Sequence, residues 1–169
     1  MVTIGERAPD FSCNAYTSSG IKKINFEDYL GKWRILLFYV ADFSAVCPTE
    51  LIAFNKDYDR FKGLGAEIFG ISTDSVEEHG RLMLEDNGMG KLRFPLLSDP
   101  KGKVAASYGV FDARRNKTMR STFIVNPDGI LKYILITDNY VGRSTKETYR
   151  VLSALKSGKA CMADWEPKY

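Results

Sequence analysis

Apolar strands alternating with amphipathic helices along this chain predict an α/β fold built on a mixed β-sheet. Two continuous apolar runs, 35–40 and 67–72, are typical of central strands that are covered on both faces. Two later strands, 122–125 and 131–136, flank the tetrapeptide Asn-Pro-Asp-Gly at 126–129, which has proline and glycine where a β-turn favours them. Central strands followed by an antiparallel hairpin indicate a sheet of mixed direction.

Helix signals fall between and after these strands. Ser75 with Glu78, and Ser144 with Glu147, each fit the S-x-x-E capping box, in which the two side chains satisfy free N–H groups of the first helical turn. The second of these helices is expected to stop at Gly158, because glycine readily adopts the left-handed conformation that ends a helix.

Length and composition indicate one globular domain. The chain has 169 residues, of which 44% are hydrophobic, enough to bury a sizeable core. A net charge of +3 without a run of Lys and Arg argues against a nucleic-acid surface. No apolar stretch approaches the roughly 20 residues of a membrane span, and the first residues lack the pattern of a secretory signal. We therefore expect a cytoplasmic protein that binds neither nucleic acid nor membrane.

The chain contains three cysteines, Cys13, Cys47 and Cys161, far apart from one another. Without a C-x-x-C pair, the sequence offers neither a thioredoxin-type redox motif nor half a zinc site. His79 is the only histidine, so a metal site made of Cys and His is not expected either. Isolated thiols are most often inert small hydrophobes in a reducing compartment, and their neighbours decide whether one is reactive.

Cys47 has the neighbours of a reactive thiol. It follows the central strand 35–40 and precedes Pro48, and proline is favoured at the first position of a helix. Apolar side chains from 48 to about 64 lie mostly on one side at helical spacing, which predicts one long helix. Cys47 is thereby predicted at the N-cap, where free N–H groups and the helix dipole stabilise a thiolate, the nucleophilic form of cysteine. The alternative is a buried cysteine that merely fills the helix start.

The segment Val46–Glu50, Val-Cys-Pro-Thr-Glu, resembles the peroxidatic site of peroxiredoxins of the typical two-cysteine branch, which includes the peroxide-reducing C components of alkyl hydroperoxide reductases. The likeness extends over nearly the whole chain. It includes four further motifs, at Ala8–Phe11, Phe94–Asp99, Arg120–Ile124 and Val141–Ser144. The resemblance implies a thioredoxin-like fold, with a central mixed sheet flanked by helices, over residues 1–158. Residues 159–169 would form a C-terminal tail that carries a resolving cysteine.

The resemblance also implies a role for each residue of the site. Cys47 would attack a hydroperoxide as a thiolate and become a sulfenic acid. Ser44 would hydrogen-bond the peroxide, and Arg120 would stabilise the thiolate and the charge on the leaving oxygen. Glu50 would orient the arginine. For Arg143 the pattern leaves two readings open, a place in this network or an ordinary solvated charge.

Cys161 resembles the resolving cysteine of the family, which attacks the sulfenic acid of a partner subunit to form an interchain disulfide. The resemblance therefore implies at least a homodimer, and the family also forms rings of dimers. It implies a hydroperoxide substrate, a protein reductant (thioredoxin-like or a flavoprotein reductase) and no cofactor. Cys13 matches no catalytic position, and its alternation with Phe11 favours a buried cysteine on a strand.

Two positions depart from the family pattern. Val40 stands where the family has a pocket proline, and Ala45 replaces a residue that is commonly aromatic. Neither change removes a reacting atom, so we expect the nucleophile to survive with impaired geometry and rate. Val40 leaves open a different class of function, a peroxiredoxin-like scaffold that acts as a holdase or interaction protein. A disulfide oxidoreductase that acts on proteins is disfavoured by the missing C-x-x-C motif.

The segment Asn87–Gly90 resembles a glycine-rich insert that the family links to slow resolution and overoxidation. The C-terminal helix that partners this insert in the family has no counterpart after Cys161 in this sequence. We therefore expect comparatively robust resistance to overoxidation, although a simple flexible loop explains these glycines equally well.

Overall fold

The computed structural model describes residues 2–84 and 92–168, and this part of the chain contains nine β-strands and five α-helices. The strands are β1 Ser12–Thr17, β2 Gly20–Asn25, β3 Trp33–Phe38, β4 Ala66–Ser72, β5 Leu96–Ser98, β6 Phe111–Asp112, β7 Lys117–Thr118, β8 Ser121–Val125 and β9 Leu131–Ile136. The helices are α1 Cys47–Lys56, α2 Tyr58–Gly63, α3 Val76–Leu84, α4 Lys103–Ser107 and α5 Thr145–Ser157.

Seven strands form one mixed sheet in the order β2-β1-β5-β4-β3-β8-β9. The pairs β3–β4 and β4–β5 are parallel, and the other neighbours are antiparallel, including the predicted β8–β9 hairpin. The mixed sheet is thus confirmed. The edge strand β2 was not predicted from its sequence, because Lys22 and Lys23 interrupt its apolar pattern, as is common at sheet edges.

The central strand β3 is buried on both faces, which explains its continuous apolar sequence. Successive side chains of a strand point to opposite faces. Ile35 and Leu37 therefore pack into the hydrophobic cluster that contains Cys47, whereas Leu36 packs into the cluster that contains Cys13. The two cysteines consequently lie on opposite sides of the sheet.

The predicted helix 48–64 is wrong in one respect, because the structure divides it into α1 and α2 at Asp57. The backbone of Asp57, with φ −87° and ψ 6°, lies outside the helical region. Its carboxylate accepts a hydrogen bond of 2.7 Å from the hydroxyl of Thr145, the first residue of α5. No glycine or proline stands at the break, and the contact that holds it comes from a distant part of the chain.

Both predicted helix starts are found, with one difference. At α3, the N–H of Glu78 donates to Ser75 Oγ at 3.2 Å and the N–H of Ser75 donates to Glu78 Oε2 at 2.7 Å, a complete capping box. At α5, Ser144 Oγ accepts from the N–H of Glu147 at 3.2 Å, but the Glu147 carboxylate turns to a neighbouring arginine. Gly158 follows α5 with a φ of 65°, as predicted.

No helix in the described ranges combines the length and apolar character needed to cross a membrane. The glycine-rich segment Asn87–Gly90 lies outside the described residues.

Three segments meet at one end of the sheet. The loop 39–46 leads from the end of β3 into α1. Antiparallel pairing of Phe38 with Ser121 places Arg120 beside the end of β3. The loop 137–143, which follows β9, begins at the same end because Ser121 also pairs with the last residue of β9. Side chains that are distant in sequence are thereby brought around the start of α1.

Candidate active site

The sequence predicted Cys47 at the N-cap, but the N-cap is Val46, which has helical dihedral angles. Cys47 is therefore the first residue of α1. Pro48 accordingly occupies the second helical position. The N–H groups of the first helical turn have no partner within the helix, so a proline there costs no helical hydrogen bond. The N–H of Cys47 donates to Ser44 Oγ at 3.1 Å, so a side chain of the preceding loop satisfies an N–H group of the first helical turn. The thiol therefore lies at the positive end of the helix dipole.

Arg120 contacts the sulfur of Cys47 directly. Its Nη2 donates to Cys47 Sγ at 3.4 Å, and its Nη1 donates to the Glu50 carboxylate. Cys47 is fully buried and Arg120 is 1% exposed. The structure thus brings together four of the predicted site residues, Cys47, Ser44, Arg120 and Glu50, although Arg120 is 73 positions from Cys47 in the chain.

Glu50 is held between two arginines. Besides Arg120, it accepts hydrogen bonds from Arg143, whose Nε donates to Oε1 at 2.9 Å and whose Nη2 donates to Oε2 at 3.0 Å. The N–H of Arg143 also donates to Oε1, at 2.7 Å. Of the two possibilities that the sequence left open for Arg143, the structure therefore supports a place in the network.

Both arginines are further fixed by backbone carbonyls. Arg120 Nη2 donates to the carbonyl oxygen of Asn139 at 2.9 Å, and the Arg120 N–H donates to Asn139 Oδ1 at 3.1 Å. Arg143 Nη1 donates to the carbonyls of Phe38 at 3.0 Å and Ser121 at 2.7 Å. Asn139 was missed in the sequence, where no local pattern distinguishes it from an ordinary loop residue.

These contacts define the charge of the site. Two guanidinium groups and one carboxylate leave one positive charge in a buried cluster beside the sulfur. A thiolate at Cys47 neutralises that charge, whereas a thiol does not. An uncompensated charge is unfavourable inside a protein, so a negative charge next to this sulfur would be stabilised by the cluster.

A second buried network supports the loop before Cys47. Asp42 accepts a hydrogen bond of 2.7 Å from the Tyr39 hydroxyl and lies 2.7 Å from His79 Nδ1. The Asp42 N–H donates to Asp74 Oδ2 at 2.9 Å. Burial, and then the Asp42 charge, raise the pKa of Tyr39 well above its usual value, which keeps its hydroxyl protonated as a donor. These contacts attach the loop between β3 and α1 to α3, through His79, and to the segment after β4, through Asp74.

A cavity of about 180 Å³ opens beside this site. Its described lining residues are Val40, Ser44, Ala45, Val46, Arg115, Arg120, Asn139 and Tyr140. Two of them are neighbours of Cys47: Ser44 accepts from its N–H and Arg120 contacts its sulfur. Cys47 itself is fully buried and is not among the described lining residues. A small molecule in this cavity would lie against Arg120, which contacts the sulfur.

The other two cysteines lie away from the cluster. Cys161 is half-buried in the irregular tail after α5, where its sulfur lies 3.6 Å from the carbonyl oxygen of Lys159. Cys13 lies buried on β1, as predicted. Burial, with a smaller effect of the Asp99 charge, raises the pKa of Cys13 to about 12, so it remains a protonated thiol at neutral pH.

Residues 2–84 and 92–168 contain no group of three or more His, Cys, Asp or Glu side chains that could hold a metal ion.

Comparison with known proteins assigns this chain to a family. The model of the AhpC/TSA family matches residues 4–134. Thioredoxin peroxidase from Fasciola hepatica is 39% identical over 168 residues, which cover 95% of this chain and 87% of that protein. Peroxiredoxin-2 from Mus musculus is 37% identical over 171 residues, covering 97% and 86% respectively.

Solved structures agree. Reduced 2-Cys peroxiredoxin from Plasmodium vivax superposes with a TM-score of 0.93 at 28% identity, over 98% of this chain and 90% of that one. AhpC from Enterococcus faecalis gives a TM-score of 0.89 at 36% identity, over 96% and 99%. The thioredoxin-like fold is thereby confirmed. The chain belongs to the AhpC/TSA family, the thiol-dependent peroxidases known as peroxiredoxins.

Proposed function

We propose that this protein reduces hydrogen peroxide and alkyl hydroperoxides with Cys47 as the nucleophile. The Cys47 thiolate attacks the terminal oxygen of the hydroperoxide, the O–O bond breaks, and the sulfur becomes a sulfenic acid. The leaving oxygen takes a proton and departs as water or an alcohol. The observation that carries the proposal is the 3.4 Å contact between Arg120 Nη2 and Cys47 Sγ inside a buried cluster that has one excess positive charge.

Ser44 and Arg120 are the proposed groups that bind the peroxide. Ser44 Oγ accepts from the Cys47 N–H, which leaves its own O–H to donate to a peroxide oxygen. Arg120 lies between the sulfur and the cavity, where it is suited to stabilise the charge that develops on the leaving oxygen. Glu50 and Arg143 are proposed to position Arg120, because Glu50 pairs with both guanidinium groups.

We propose that Cys161 of the partner subunit resolves the sulfenic acid. Its thiolate attacks the oxidised sulfur of Cys47, a disulfide forms, and the hydroxyl departs as water. Cys47 is fully buried in α1, so the first turn of this helix has to open before the two sulfurs meet. We propose that residues 1–158 form the catalytic domain and that residues 159–169 form a tail that carries Cys161.

An interchain disulfide requires at least a homodimer, and a ring of dimers is compatible with the same cycle. The proposed reductant is a dithiol protein, thioredoxin-like or the disulfide-reducing domain of a flavoprotein reductase. The name of the Fasciola hepatica relative, thioredoxin peroxidase, supports the first of these. Because the cycle ends on a dithiol donor, we propose the reducing cytoplasm as its location.

The two-cysteine cycle is tested on non-reducing gels after addition of one equivalent of hydrogen peroxide. The wild-type chain is expected to form a disulfide-linked dimer. Cys47→Ser and Cys161→Ser are each expected to abolish this dimer, whereas Cys13→Ser, a matched control for a buried thiol, is expected to retain it. A dimer that persists in Cys161→Ser would contradict the resolving role.

The scaffold or holdase alternative makes a different prediction. Its one supporting feature is Val40, which lines the cavity without contributing a reacting atom. If the chain is only a scaffold, peroxide consumption with a dithiol donor is expected to be absent while the chain suppresses aggregation of an unfolded client. Consumption that depends on Cys47 excludes that alternative.

A further inference from the structure

The cavity beside Cys47 is larger than hydrogen peroxide needs. Its volume is about 180 Å³, whereas one water-sized group occupies roughly 30 Å³ in the liquid. Val40, Ala45 and Val46 give the cavity an apolar wall, and Tyr140 lies at its outer side with 89% of its surface exposed. This wall is suited to the carbon chain of an organic hydroperoxide.

A second arginine lines the same cavity. Arg115 lines the cavity, and its side chain is 73% exposed. Its one ion-pair partner within residues 2–84 and 92–168 is Asp112, with Arg115 Nε 3.7 Å from Asp112 Oδ2. Asp112 also accepts the N–H of Arg114 at 3.0 Å. A guanidinium group has five N–H donors, so Arg115 retains donors for a further anion.

The backbone next to Arg115 is anchored by its neighbours in the chain. Asn116, which has a left-handed φ of 49°, accepts a hydrogen bond on its carbonyl from Thr73 Oγ1 at 2.9 Å. Lys117 Nζ lies 3.1 Å from Asp74 Oδ1, so that cation is already paired. The β6–β7 hairpin is thereby attached to Thr73 and Asp74 at the end of β4, and this places the exposed Arg115 at the cavity.

We propose that this chain recognises organic hydroperoxides that bear a carboxylate, and that Arg115 binds the carboxylate. The carbon chain lies on Val40 and Ala45, and the peroxide group reaches Cys47. The thiolate then attacks the terminal oxygen, the O–O bond breaks, Cys47 becomes a sulfenic acid, and the organic product is the corresponding hydroxy acid. This inference rests on the proposed peroxidase chemistry and adds a substrate class to it.

The test compares two hydroperoxides that differ only in charge, 6-hydroperoxyhexanoic acid and its methyl ester. The second-order rate constant for Cys47 oxidation is measured by rapid mixing, alkylation of the remaining thiol and mass spectrometry. The wild-type chain is expected to react about fivefold faster with the acid than with the ester, the effect of one partly exposed ion pair. Arg115→Gln is expected to reduce this ratio to about one.

Two controls separate recognition by Arg115 from other effects. The ester is an internal reference, because a general loss of activity slows both reactions and leaves their ratio unchanged. Arg114→Gln removes the exposed charge next to Arg115, and Arg114 is not among the described residues that line the cavity. This variant is therefore expected to keep most of the preference for the acid. Salt at about 0.5 M is expected to weaken the preference by screening.

Equal rates for acid and ester in the wild-type chain would overturn the inference. So would an equal loss of preference in Arg114→Gln and Arg115→Gln, because the preference would then reflect the general field of the hairpin. If hydrogen peroxide oxidises Cys47 in the same assay, either result leaves the proposed peroxidase function intact. If no peroxide oxidises Cys47, the proposed function and this inference both fail.

Discussion

At the scale of single residues, the site depends on how one carboxylate is shared. Glu50 is 3% exposed and pairs with Arg120 and Arg143, which have side chains that are equally buried. A buried ion pair contributes little net stability, but removal of one partner leaves a charge without compensation. Glu50 therefore supports both the fold and the orientation of the guanidinium group beside Cys47.

Glu50→Gln is expected to lower the free energy of unfolding by roughly 3 to 5 kcal/mol, because two buried guanidinium groups lose their carboxylate. Denaturant unfolding measures the change. The matched control is Glu147→Gln, which breaks a pair with Arg150 whose side chains are 45% and 32% exposed. Its expected effect is about 1 kcal/mol or less. Similar losses for the two variants would contradict the importance of burial.

Cys13 gives a prediction for alkaline pH. Its pKa is raised from 9.0 to about 12 in the folded chain, mainly by burial. Between these values the unfolded chain loses the thiol proton and the folded chain keeps it, so the free energy of unfolding falls as pH rises through this window. Cys13→Ala is expected to make the decline between about pH 8 and pH 11 shallower. Parallel curves for the two proteins, measured by denaturant unfolding, would refute this.

At the scale of elements, the loop between β3 and α1 determines how the thiol is presented. The loop is held by the Asp42 network and by the hydrogen bond from Cys47 to Ser44. Val40, at its beginning, lines the cavity, and its N–H has no hydrogen-bond partner within the described residues. A proline at this position would therefore remove no hydrogen bond, while its fixed φ would restrict the loop.

Val40→Pro is accordingly expected to raise the second-order rate constant for Cys47 oxidation by hydrogen peroxide about two- to fivefold, through lower loop entropy. Val141→Pro, in the loop after β9, is the contrasting variant. The Val141 N–H donates to the Asp138 carbonyl at 3.0 Å, so proline there removes a hydrogen bond and is expected to lower stability. An unchanged or lower rate in Val40→Pro would mean that this valine does not impair the site.

At the scale of the whole molecule, the buried core and the C-terminal tail occupy different parts of the chain. The buried hydrophobic residues of both clusters lie between Ala8 and Leu152. The described part of the tail, 159–168, contains exposed and half-buried residues only. It touches α5 where Arg150 Nη1 donates to the carbonyl of Trp165 at 3.4 Å. The fold is therefore expected not to depend on the tail, whereas the proposed dimer disulfide does.

A chain truncated after Gly158 is expected to melt within about 4 °C of the full chain, the shift that corresponds to roughly 1 kcal/mol in a protein of this size. It is expected to form no disulfide-linked dimer with peroxide, while Cys47 is still oxidised. Calorimetry and non-reducing gels measure these outcomes. Loss of cooperative melting after truncation would show that the tail belongs to the folded domain.

Local patterns were sufficient for the two central strands, the β8–β9 hairpin, the starts of α3 and α5, and the place of Cys47 at a helix start. An apolar run predicts β3, the pair of Ser75 and Glu78 predicts α3, and the step from strand to cysteine and proline predicts a thiol at a helix start within one residue of the observed position. These signals lie within a few neighbouring residues, because they reflect side-chain periodicity and unpaired backbone groups.

The remaining features depend on segments that meet only after folding. The break at Asp57 needs Thr145, and the place of Asn139 against Arg120 needs the loop after β9 to return to the start of β8. From the sequence, Arg143 could equally be an ordinary solvated charge. In the structure it is buried against Glu50, which is 93 residues away in the chain. The sequence alone therefore determined the fold class and pointed to Cys47 as the candidate nucleophile. Tertiary packing decided the buried charge network, because the partner of an arginine depends on which segments the sheet brings together.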